Sequence, residues 1–143
     1  MQLRCEAVRA LGAMGELGVP HIEVVLAAIA HGRRTPQHLH TIRVALDALG
    51  SMGPNARFHA AEFAPLLRHR QPTVRACTVR ALGLTHARSY LPAMVALLRD
   101  DSDVAVRASA VDALVRQYIR LTPQLTLTLH VVRVLYLRWR WLL

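Results

Sequence analysis

The chain has no lysine, and all eighteen of its basic residues are arginine. We read that as the codon usage of a GC-rich, bacterial coding sequence rather than as chemistry. Motifs for catalysis and metal binding are missing too. There is no Cys-x-x-Cys, no His-Glu-x-x-His and no second His-x-x-Glu, which removes the common metal-ligand spacings. Ser51, Ser89, Ser102 and Ser109 lack a Gly-x-Ser-x-Gly setting. Gly12, Gly15 and Gly18 follow a helical pattern rather than a strand, so they read as helix termination and a turn, not a phosphate loop. No window of 18 apolar residues is present, so no membrane span is predicted. Met1-Gln2-Leu3-Arg4 leads directly into a charged helical pattern without a signal peptide.

Only two cysteines are present, Cys5 and Cys77. They fall two repeats apart in the pattern described below, or about 20 Å if helices stack at the usual 8–10 Å. A disulfide needs Cα atoms within about 7 Å. Free, buried thiols and a reducing, cytoplasmic location are therefore expected. The eight histidines offer little for a metal. His38 and His40 point about 200° apart on a helix, whereas His59 and Glu62 share a face at i, i+3. We expect no catalytic residues, no metal and no cofactor.

What the chain does contain is repetition. Ala7-Val8-Arg9-Ala10-Leu11-Gly12 aligns with Ala45-Leu46-Asp47-Ala48-Leu49-Gly50. Both align with Thr78-Val79-Arg80-Ala81-Leu82-Gly83 and Ala110-Val111-Asp112-Ala113-Leu114-Val115. The offsets of 38, 33 and 32 residues are those of a helical hairpin stacked as a unit. Upstream, Leu3, Thr41, Val74 and Val106 are equivalent, and Arg75 and Arg107 follow the last two.

First helices are predicted near 2–12, 39–50, 73–84 and 104–118. Val74, Thr78, Ala81 and Leu82 make one apolar stripe, as do Val106, Ala110, Ala113 and Leu114. Gly12, Gly50 and Gly83 are placed at the C′ positions of three helices, with positive φ. Val115 breaks that pattern, so the fourth helix is expected to run on toward Tyr118. Second helices are predicted near 20–31, with Pro20 in the first turn, and near 89–99, with Ser89 as N-cap and Pro92 in the first turn. In 57–69, Pro65 either kinks a helix or starts a shorter one near Phe63. The connection from Gly32 to Gln37 is about five residues longer than its counterparts, as a loop insertion in such an array would be.

Gln71-Pro72-Thr73-Val74-Arg75 through Gly83, then Leu91 to Asp100, resembles one complete bacterial HEAT repeat, and more narrowly the HEAT-like units of the phycobilisome lyase type. The family pattern Asp-Pro-x-Val-Arg is met in part there and at Asp103-Val104-Ala105-Val106-Arg107, with Gln71 in place of Asp and Val104 in place of Pro. The resemblance covers about residues 2–117. It implies an all-α fold, an α-solenoid of about three and a half HEAT-like helical hairpins. HEAT-like hydroxylases carry His-Glu dipeptides for iron, and this chain has none. HEAT-like DNA glycosylases need an acid and aromatics in a basic groove, and here both tryptophans lie in the tail.

Physical reasons accompany the pattern. Asp100, Asp101 and Asp103 crowd the entry to the fourth first-helix, where carboxylates accept orphan N–H groups and suit the positive dipole end. Positions 9, 47, 80 and 112 read Arg, Asp, Arg, Asp, a charge ladder if the helices stack in register.

The net charge of +9 is unevenly spread. Residues 1–113 carry thirteen Arg and nine acids, and residues 114–143 carry five Arg and no acid. Within the repeats, the concentration of interest is His31, Arg33, Arg34 and His38 after repeat one, with Arg68, His69 and Arg70 in the next equivalent turn. Stacking would bring them to one edge, basic at one end and acidic at the Asp100–Asp103 turn. That edge suits a protein partner with an acidic surface, or phosphates, through steering.

Residues 118–143 differ in composition. Leu125, Leu127, Leu129 and Val131 alternate, which favours a strand, whereas the solenoid context asks for a terminal helix begun at Thr122-Pro123. Three readings stay open for this apolar Arg/Trp-rich segment: a last packed layer, a membrane-surface segment, or the product of a frameshift or truncation. Met1 starts almost inside a first helix without a polar capping repeat, so the chain also reads as a piece of a longer array.

The function expected from all this is a non-catalytic scaffold that binds a protein partner through its second-helix face and basic edge. The alternatives are nucleic-acid binding through the Arg-rich turns and, by resemblance only, a bilin lyase-like subunit.

Overall fold

A computed structural model describes residues 2–34 and 39–119; His38 and residues 120–143 of the predicted tail segment lie outside the described residues, and its first two residues belong to the last helix. The helices are α1 (Gln2–Ala13), α2 (Ile22–Arg34), α3 (Leu39–Ser51), α4 (Ala60–Phe63), α5 (Pro72–Leu84), α6 (Leu91–Asp100) and α7 (Val104–Ile119). Short 3-10 segments join them: Gly15–His21, Gly53–His59, Ala64–Arg68 and Arg88–Tyr90. No strand occurs among the described residues.

The first helices α1, α3, α5 and α7 form one layer, each packed on the next. The second layer consists of α2, the 53–68 run around α4, and α6; α2 and α6 dock chiefly on the first helix that follows them. This is a HEAT-like solenoid. The core lies between the layers, where Val8, Val25, Ile42, Leu46, Leu49, Phe63, Val74, Leu82, Met94 and Val106 are sealed from solvent. Cys5 and Cys77 are buried free thiols in the first-helix layer.

The repeated Ala-Leu-Gly phrase has a different meaning from the one its sequence suggests. Gly12, Gly50 and Gly83 do not end their helices with positive φ; each lies inside its helix. The left-handed residues come three positions later, at Gly15 (φ 57°), Gly53 (φ 71°) and His86 (φ 55°). What Gly12 and Gly83 do is admit the next first helix. A Cβ on Gly12 would stand 2.8 Å from Ala48 Cα, and one on Gly83 would stand 2.7 Å from Ala113 Cβ. Ala48, Ala81 and Ala113 are the alanines of the next copies of the phrase. At Gly12 and Gly83 the phrase therefore supplies a glycine notch that receives the alanine of the next copy, and glycine is the residue that permits such close backbone approach, whereas Gly50 faces the tip of Leu84.

The proline-bearing second helices start later than expected. Pro20 sits in the 3-10 segment Gly15–His21 rather than in the first turn of α2. Ser89 lies in the 3-10 turn Arg88–Tyr90, and no side-chain bond caps α6, whose N-cap is Tyr90. Pro65 neither kinks a long helix nor starts an α-helix. A four-residue α4 ends at Phe63, and Pro65 opens a 3-10 turn. Arg33 and Arg34 belong to α2 rather than to the connection, which begins at residue 35. Arginine is a good helix former, and cations suit the negative end of the dipole.

Candidate functional site

Two features of the surface stand out, an arginine clamp along one edge and a groove on the second-helix face. The clamp is built by Arg75 and repeated by Arg107. Arg75 Nη1 donates to the carbonyls of His69 (2.9 Å) and Arg70 (3.3 Å), closing the turn ahead of α5. Arg107 Nη1 donates in the same way to Asp101 (2.8 Å) and Ser102 (3.2 Å), ahead of α7.

Arg75 then reaches the next unit. Its Nε and Nη2 hold both Asp101 oxygens at 2.7 Å, the planar fork matching a carboxylate. The two side chains are 14% and 4% exposed, so solvent screens the pair little. The hydrogen bond from Arg75 is the main reason the Asp101 carboxyl is held below its usual range, with the Asp103 N–H also helping and burial opposing. Asp103 Oδ1 caps α7, accepting from Ala105 N (2.8 Å) and Val106 N (3.3 Å).

The sequence-predicted basic residues fall as follows. His31 is exposed near the end of α2, and Arg33 and Arg34 close that helix. Arg68 is exposed at the end of a 3-10 segment. His69 is half-buried, and its Nδ1 accepts the Gln71 backbone N–H at 3.1 Å. Arg70 is exposed, with its carbonyl taken by Arg75. The structure thus gathers Arg68, His69 and Arg70 in one turn, next to the acidic turn through Arg75 and Asp101. His69 serves that turn's own architecture.

Of the charge ladder, one rung forms: Arg80 pairs with Asp47 of the preceding unit, both about half-exposed. Arg9 bonds instead to Glu6 one turn back, at 2.6 Å. No ion pair joins Asp112 to Arg80 among the described residues. His59 Nδ1 meets Glu62 Oε1 at 3.0 Å and stands 4.0 Å from Glu23. Among the described residues, no group of three or more His, Cys, Asp or Glu could hold a metal ion, and no helix is long and apolar enough to cross a membrane.

The groove escaped the sequence reading. It runs between the 54–68 segment and the 86–97 segment, as two adjoining hollows that share Tyr90. One, of about 550 Å³, is lined by residues that include Pro54, Arg57, Phe58 and Arg88. The other, of about 520 Å³, has Ala61, Ala64, Ala93 and Ala96 among its lining, with Leu67 and Leu97 as walls and Arg68 at its end. Phe58 is 75% exposed at one mouth, with the Arg57 guanidinium 4.5 Å over its ring. The sequence signal for the groove is small residues at matching places on successive second helices, flanked by arginines.

Residues 60–124 match the model of the HEAT repeats family. The HEAT match takes in α4 through α7, with both arginine clamps and the groove except its Pro54, Arg57 and Phe58 end. The Gly12–Ala48 contact carries the same geometry into the HEAT-like helices ahead of it. No curated protein and no solved structure shows a significant match to the chain.

Proposed function

We propose that this chain is a non-catalytic scaffold that binds a protein partner on its second-helix face and basic edge. Arrays of HEAT repeats commonly serve as protein-interaction scaffolds. The observation that carries the reading is the groove itself, about 1,000 Å³ of open, alanine-floored hollow across two stacked units. Concave, largely apolar surfaces ringed by a few polar groups are where ligands and partner segments seat. The partner presents an acidic surface, because Arg57, Arg68 and Arg88 border the groove and Arg70 stands beside it. Its setting is the cytoplasm, where Cys5 and Cys77 stay reduced.

A photo-crosslinking residue at Phe58 or Pro65 tests this in cells that express the protein. A specific protein adduct is expected from those positions and none from Arg9 on the first-helix layer. Adducts confined to Arg9, or to nucleic acid, would overturn the proposal; the latter would select the Arg-rich turns as a phosphate surface. The narrower likeness to bacterial phycobilisome lyase units adds a bilin-handling role as an alternative, which a spectral change on adding a bilin would reveal.

A further inference from the structure

Resting on that reading, we infer that the groove between residues 54–68 and 86–97 takes one kind of partner element, an acidic amphipathic α-helix. Three observations lead there. The first is shape. The 57–68 wall follows helical and 3-10 backbone, and such a wall is about 18–24 Å long. That length accommodates about 12–16 residues of α-helix at 1.5 Å each. The floor is small: Ala61, Ala64, Ala93 and Ala96 let another helix approach closely, while Leu67, Leu97 and Tyr90 grip its apolar stripe.

The second observation is charge. Arg57 and Arg88 line one hollow and Arg68 the other, and no carboxylate lines either among the described residues. Glu62, the nearest acid on the 57–68 wall, is turned to His59 at 3.0 Å. A helix with carboxylates at both ends and along its outer face would meet arginine at each mouth.

The third is what the groove disfavours. A nucleic-acid backbone would leave the alanine and leucine floor unsatisfied, since phosphate contacts supply its affinity. The chain's own residues 120–143 carry Arg120, Arg133, Arg138 and Arg140 and no acid. They would bring like charge to an arginine rim. Exposed Phe58 under Arg57 then acts as an apolar anchor whose cation is free to pair across the interface.

The experiment uses the full chain and a synthetic peptide of about 16 residues. One peptide has leucine and alanine on one helical face and glutamate elsewhere; two others replace every glutamate by arginine or by glutamine. Fluorescence anisotropy in low salt should show the glutamate peptide binding at least tenfold more tightly than the arginine one, and weakening as salt rises. Ala96→Trp fills the floor from an exposed position and Arg68→Glu reverses one rim charge; each should weaken the glutamate peptide about tenfold, with circular dichroism unchanged.

Equal binding of all three peptides, still lost in Ala96→Trp, would overturn the acidic-helix assignment and leave the docking face standing. Glutamate-peptide binding unaffected by Ala96→Trp would overturn both. Absence of binding by any peptide at about 1 mM, roughly 4 kcal/mol of affinity, would overturn the inference.

Discussion

Substituting Gly83 by alanine pits helix propensity against packing. In an isolated helix, Gly→Ala gains about 1 kcal/mol. Here the new methyl would stand 2.7 Å from Ala113 Cβ and 2.9 Å from Ala113 Cα. Carbon atoms pack at about 3.5–4.0 Å, so α5 and α7 must part by about 1 Å along a contact that excludes water. Overpacking of this sort costs about 1–3 kcal/mol, and neither atom of Ala113 is the free end of a flexible side chain. The overlap wins. Gly83→Ala should destabilise by about 1–2 kcal/mol net of propensity, a fall in Tm of about 3–8 °C, with the urea m-value unchanged.

Gly50→Ala supplies the contrast. Its methyl would meet Leu84 Cδ1 at 2.8 Å but Ala81 Cα only at 3.7 Å. A leucine tip can swing aside, so this variant should match the parent or exceed it slightly. Pairing Gly83→Ala with Ala113→Gly should recover part of the loss, a coupling that independent sites would not show. Equilibrium urea unfolding by circular dichroism reads all four proteins. A Gly83→Ala protein as stable as the parent, or a Gly50→Ala protein less stable than Gly83→Ala, would refute the glycine-notch reasoning.

Asp101→Asn removes a carboxylate that accepts two short bonds from Arg75, and should cost about 1.5–3 kcal/mol by thermal or urea unfolding. Because the folded Asp101 carboxyl lies below its ordinary range, its contribution is complete above the unfolded-chain value near pH 4 and disappears as pH falls through the lower folded value. As pH falls below about 4 the parent should therefore lose stability more steeply than Asp101→Asn, and parallel acid limbs would contradict this. Asp47→Arg breaks the formed rung with Arg80 and adds like charge, so its Tm should fall by more than that of Asp112→Arg, which breaks no such pair. The difference should be about 1 kcal/mol or less and shrink in high salt.

Much of the first-helix layer was legible because one phrase recurs with its apolar stripe in register. The predicted spans 2–12, 39–50, 73–84 and 104–118 lie within a residue or so of α1, α3, α5 and α7. α7 runs through Val115 as its missing glycine implied. The role of the glycines was not legible. A glycine near a helix end satisfies both a left-handed cap and a close crossing, and only the neighbouring helix distinguishes the two. His86 at the third left-handed position also hid the true caps, which glycine marks at 15 and 53.

The second layer was read less well because its prolines favour 3-10 turns over continuous α-helix, and the consequence at Pro65 depends on packing against α5. Basic side chains could be counted along the edge. That the carbonyls of His69 and Arg70 serve Arg75 could not, since sequence shows side chains rather than which backbone groups need a donor. The groove depends on which second helices lie side by side, so its alanines gained meaning only once the units were stacked.

Distances between spin labels along the ladder positions test the stacking itself. In a chain with Cys5 and Cys77 replaced by alanine, labels go on cysteines introduced at Arg9 and Arg80, or at Arg9 and Asp112. Neighbouring first helices lie about 8–10 Å apart. Electron double resonance should then give about 20 Å for the first pair and about 30 Å for the second. A 9–112 distance no longer than the 9–80 distance would contradict a solenoid of first helices laid side by side.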